Sequence, residues 1–142
     1  MAIRAGGKDD VSDSRVLWTS RISSYVPSPV VHDGRIWCVD DKGIVTCMKT
    51  ADGEEVFRRR LEGAKSGFVS KPFYASAILI GDKLYSPSRT GGTFVVAAKN
   101  EFEQLANNAF DSDKSDFNAT PAVADRHLFL RSNRFLYCVS AE

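Results

Sequence analysis

Apolar and polar positions alternate in short runs along this chain, and each run is closed by a turn cluster. The pattern is clearest from Ser28 to Met48. Pro29 to His32 forms one apolar run, and Asp33-Gly34 turns the chain into a second, Arg35 to Val39. Asp40-Asp41-Lys42-Gly43 turns it again into a third, Ile44 to Met48. Asp-Gly and a Gly-ended polar cluster between alternating runs predict antiparallel hairpins, because Gly accepts the positive φ of a tight turn. Asp52-Gly53 then introduces a fourth, more charged strand, Glu54 to Arg59.

The same order returns twice. Phe73–Ile80, Lys83–Ser88, Thr93–Ala98 and Glu101–Ala106 are predicted as four strands, separated by Gly81-Asp82, Arg89 to Gly92 and Lys99-Asn100. A third set starts at Phe117: residues 117–124, the turn Asp125-Arg126, residues 127–132, the turn at Asn133, and residues 135–140. Before the first set, residues 1–14 are polar, with Ala2 to Arg4 as the end of a strand, and Arg15 to Ser20 carries a strand with a tryptophan. Trp37, Tyr85 and Phe129 take one repeat position, 48 and 44 residues apart, and Cys47, Val96 and Cys138 fall near another. A four-stranded unit repeating every 40–50 residues or so is the mark of β-propeller blades. Short strands also suit a β-sandwich, but a sandwich has no reason to repeat its turn and aromatic pattern. The expected fold is all-β: propeller blades of four antiparallel strands, about three of them, as an open arc or as part of a six- to eight-bladed ring. One outer strand at 15–20 is followed by blades at 26–60, 73–106 and 117–140, all within one repeat domain spanning 1–142.

Composition narrows the function. Hydrophobic residues make up 43% of the 142, enough for a packed core. The 19 Lys and Arg nearly balance the 18 Asp and Glu, giving +1. That balance provides no long-range pull toward nucleic acid or anionic lipid, so neither is expected as a partner. No apolar run approaches the roughly 18 residues of a membrane helix, and the first residues lack a signal-peptide core. Three cysteines, Cys38, Cys47 and Cys138, form no CxxC pair and no zinc spacing. Cys38 and Cys47 fall on neighbouring strands, where a bridge would need suitable Cβ geometry.

Ser28-Pro29-Val30-Val31, Asp33-Gly34-Arg35-Ile36-Trp37, the Gly43 turn and Asp52-Gly53-Glu54 together resemble the repeat of PQQ-like, quinoprotein-type β-propellers. Val16-Leu17-Trp18 resembles that family's closing outer strand. The resemblance covers about residues 15 to 139 and implies blades running from an inner strand at a central channel to an outer strand. On that match 26–32, 74–80 and 118–124 are inner strands. It also implies a periplasmic or other extracytoplasmic setting. The chain then looks like a C-terminal part of a larger propeller, or an arc completed by further blades, a protein partner or a second copy. Three blades are too few to close a ring. The Arg15–Ser20 strand is a candidate fourth strand for the last blade, in cis or in a partner.

Two functions follow. The first is a non-catalytic scaffold or binding module for proteins or small ligands, as in scaffolding propellers such as the outer-membrane assembly lipoprotein. The second is a fragment of a quinoprotein alcohol or sugar dehydrogenase, which would bring PQQ and calcium. No catalytic or metal residue is assigned and no cofactor is predicted for the first reading. Asp111, Asp113 and Asp116 lack the Gly and Glu of a calcium loop and read as a solvated acidic loop. His32 and His127 occupy different repeat positions and lack metal-ligand partners in sequence. Arg58-Arg59-Arg60 reads as an exposed strand end, and the Asn118-Ala119-Thr120 sequon falls where an inner strand is expected. Tyr25, Phe73 and Tyr74 precede inner strands, where loops reach a face of the ring, and form the expected contact surface.

Overall fold

The computed structural model describes residues 1–64 and 71–140. It is all-β. β1 (Ala2–Ile3) pairs with β2 (Val16–Trp18). β3 (Val30–His32), β4 (Arg35–Val39), β5 (Ile44–Lys49) and β6 (Glu55–Arg60) make a four-stranded antiparallel meander. β7 (Ile78–Ile80), β8 (Lys83–Pro87), β9 (Thr93–Ala97) and β10 (Gln104–Asn108) make a second. β11 (Ala122–Ala124), β12 (His127–Arg131) and β13 (Leu136–Ser140) make a three-stranded sheet whose outer edge is β13. The sheets follow one another as an open arc.

The repeat is sharpest in the pairing. Trp37, Tyr85 and Phe129 lie opposite Cys47, Val95 and Cys138. The third-strand equivalent of Cys47 is therefore Val95, not Val96. The third and fourth strands share a one-residue bulge: Met48 and Cys47 oppose Glu55 and Phe57, leaving Val56 unpaired. In the next sheet Val96 and Val95 oppose Gln104 and Ala106, leaving Leu105 out. The N-terminal hairpin repeats it, with Ile3 and Ala2 opposite Val16 and Trp18 and Leu17 left out. β1 and β2 are thus the third and fourth strands of a further blade. The sequence pattern places the end of a strand at Ala2 to Arg4 but does not assign it to a blade, because two residues of β1 are too few to show a period.

Side chains alternate across each strand, so each sheet has two faces. One face of the first meander carries Trp37, Val39, Val45, Cys47 and Phe57; it packs against Leu79, Leu84, Phe94 and Val96 of the second in one buried cluster. The core lies between blades, which is why the middle strands are apolar on both faces. The same alternation sends Cys38, opposite Thr46, and Cys47, opposite Trp37, to opposite faces of the sheet. Both thiols are free, and burial raises the pKa of each.

The inner strands are shorter than the resemblance implies: 30–32, 78–80 and 122–124 rather than 26–32, 74–80 and 118–124. Their first halves bond sideways instead. The Ser28 N–H donates to Ser76 Oγ at 2.9 Å, and the Ser76 N–H donates to Thr120 Oγ1 at 3.2 Å. Backbone that bonds to the next blade cannot also join its own ladder, and Pro29 and Pro121 have no N–H to give. The fourth strand of the second blade also moves, from the expected 101–106 to 104–108. The Ala97 N–H donates to the Glu103 carbonyl, as the Lys49 N–H does to Glu54, so Glu101 and Phe102 belong to the turn. Asn107 and Asn108, beyond the end of the expected strand, pair with Phe94 and Thr93.

Candidate functional site

The segments entering the second and third blades are each clamped between two turns. The Phe73 N–H donates to the Asp41 carbonyl of the preceding blade at 3.3 Å, and the Arg89 N–H of its own blade donates to the Pro72 carbonyl at 2.7 Å. One repeat on, the Phe117 N–H donates to the Arg89 carbonyl and the Asn133 N–H to the Asp116 carbonyl, both at 2.9 Å. This lattice fixes the side chains around it.

The Tyr25 and Tyr74 rings meet at 6.2 Å between centroids, tilted by 52°. Lys71 places Nζ 3.1 Å from the Tyr25 ring centroid, and Arg89 places Cζ 4.8 Å from that of Tyr74. Arg89 also forms an ion pair with Asp116. Cation, ring, ring, cation and carboxylate thus form one ladder, held by each cation's attraction to the negative face of a ring. Tyr25 is 66% exposed. Phe73, expected beside it, is fully buried, with its ring 5.5 Å from that of Phe94. A Cβ on Gly43 would sit 2.6 Å from Phe73 Cε2, so Gly43 is the space into which this ring fits. Phe73 is a core anchor that aims Tyr74 outward. Sequence reasoning missed Lys71 and Arg89, which carry no local motif; only the clamp between blades brings them to the tyrosines.

The acidic loop is solvated only in part: Asp111 is exposed, whereas Asp113 is not. Asp113 is buried and accepts from the Ser115 N–H at 2.9 Å, Ser115 Oγ at 2.7 Å and Tyr137 Oη at 2.9 Å. Hydrogen bonds from Ser132, Ser115 and Tyr137 hold its carboxyl well below the usual range. Tyr137 stacks on Phe110, centroids 3.8 Å apart and 12° between planes, so the loop is bolted to β13. With Asp113 so engaged and Asp116 paired to Arg89, the cluster does not fit a calcium ion, and no group of three His, Cys, Asp or Glu suited to a metal occurs among the described residues. His32 and His127 stay apart, at the end of β3 and the start of β12. Arg58 to Arg60 lie exposed on β6, as expected. Asn118 is exposed ahead of β11 rather than inside a strand.

A β-propeller-type fold is the class this architecture defines. No family model and no curated protein matches the sequence. Among solved structures the chain is similar to BamB from Moraxella catarrhalis, with a TM-score of 0.63 and 13% identity. The match covers 82% of this chain and 33% of that one, so the chain spans about a third of the matched structure's length. At that identity the likeness shows the fold alone.

Proposed function

We propose that this chain is part of a non-catalytic propeller platform that holds a protein or small ligand through the loop surface around Tyr25 and Tyr74. The observation that carries this reading is the cation–ring ladder from Lys71 to Asp116, whose Tyr74, Arg89 and Asp116 part is held by backbone bonds from three blades and whose Tyr25 ring is exposed. An exposed aromatic ring beside a fixed ammonium suits apolar and acidic groups of a partner, and a rigid scaffold presenting loops is how such contacts gain affinity. The dehydrogenase alternative gains no support from the acidic cluster, where Asp113 and Asp116 are already engaged.

The reading is tested with a photo-crosslinking amino acid in place of Tyr25, in cells expressing the chain. Discrete adducts are expected, and Tyr74→Ala should reduce them at least several-fold. Adducts no different from those made at exposed Glu55 would overturn the reading. Adding PQQ and calcium should leave the quinone absorbance unshifted; a shift with dye-linked alcohol oxidation would overturn the non-catalytic assignment.

A further inference from the structure

The two ends of the arc are complementary at the level of single residues, and the platform reading above supplies the propeller frame on which this rests. At one end β2 is a fourth strand that carries only β1 beside it. At the other, β13 is a third strand with a free edge among the described residues; its Leu136 and Val139 and the preceding Phe135 are 69%, 40% and 52% exposed. The repeated bulge says how they match. In the complete blades the residues equivalent to Val139 and Cys138 oppose those equivalent to Val16 and Trp18. In the N-terminal hairpin, Ile3 and Ala2 hold those two places.

We infer that β2 of a second copy of this chain completes the last blade, with Val139 opposite Val16, Cys138 opposite Trp18, and β1 displaced. Three further observations agree with one placement of the incoming sheet. An apolar cleft of about 280 Å³ lies between Trp18 and the face of Ile36, Cys38 and Met48, where that sheet would stand. The lateral series from Ser28 to Ser76 to Thr120 continues if the Thr120 N–H donates to Ser28 Oγ of the second copy. Trp18 stays docked on its own chain, its Nε1 donating to the Thr50 carbonyl at 2.9 Å, so β2 is already held in place for the incoming edge. The described strands make about three blades, and a ring needs at least about four. Two chains joined head to tail make about six, and a head-to-tail contact closes when the rotation completes a circle.

The test uses the full chain with Val16→Cys and Val139→Cys in a Cys138→Ser background. Mild oxidation should give a covalent dimer in high yield, and the unmodified chain should sediment at twice its monomer mass. Leu17→Cys with Val139→Cys, one residue out of register, should crosslink at least tenfold less. Ile3→Pro, which removes an N–H from β1, should raise the dimer fraction of a dilute sample. A folded monomer with no crosslink, equal yields in both registers, or assemblies larger than two would each overturn the closure. None of these touches the Tyr25 surface, so the platform reading stands or falls separately on its own crosslinking.

Discussion

At the scale of single residues, neighbours in sequence take opposite roles. Phe73 and Tyr74 are adjacent aromatics, and only burial separates them: one is fully enclosed, the other sits in the ladder. Phe73→Ala should cost about 3–5 kcal/mol, the usual range for deleting a buried phenylalanine, measured by urea unfolding. Asp113 is acidic in sequence and structural in space. Its carboxyl titrates below the usual range in the folded chain, so its contribution is complete above about pH 4, the ordinary aspartate value, and is lost as pH falls further toward the folded value. The gap in melting temperature between the chain and Asp113→Asn should therefore be largest near neutrality and shrink below that pH. Arg126 holds φ +65 in the turn where the first blade has Gly34 at +69. Arg126→Gly should stabilise by up to about 1 kcal/mol in thermal melts, since the left-handed region penalises a side chain.

At the scale of elements, turns and outer strands lock blade to blade. A Cβ on Gly53, at φ +75, would lie 2.5 Å from Trp18 Cε3. Gly53→Ala should destabilise by about 1–3 kcal/mol, and a double-mutant cycle with Trp18→Ala should show coupling, because the clash disappears with the ring. Phe57 repeats the device on Phe102, edge to face at 5.8 Å. The strand and turn pattern was legible in the sequence because alternation, Asp-Gly and Gly-ended turns are local signals. The inner strands were overextended because a lateral bond such as that from Ser28 to Ser76 joins residues 48 apart and leaves no local trace. Ser76→Ala, which removes one such acceptor, should cost about 1 kcal/mol in the same unfolding assay.

At the scale of the whole molecule, the open arc sets the behaviour. Blades bury their apolar faces against neighbours, so the first and last faces stay exposed until something covers them. Leu136, opposite Arg131 on the outward face of the last sheet, is 69% exposed for that reason. The amino-acid sequence by itself determined the repeat, the four-stranded unit, the turn residues and the all-β class, because each depends on periods and dipeptides within a few residues. The tertiary structure alone decided that β1 and β2 are half of a further blade and that Phe73 is core while Lys71 and Arg89 flank two tyrosines. It also decided that Asp113 is bolted to β13. Each of these is a contact between blades, made by residues far apart in the chain, and the physical reason is the same throughout: a propeller places its core, its clamps and its contact surface between repeats rather than within them.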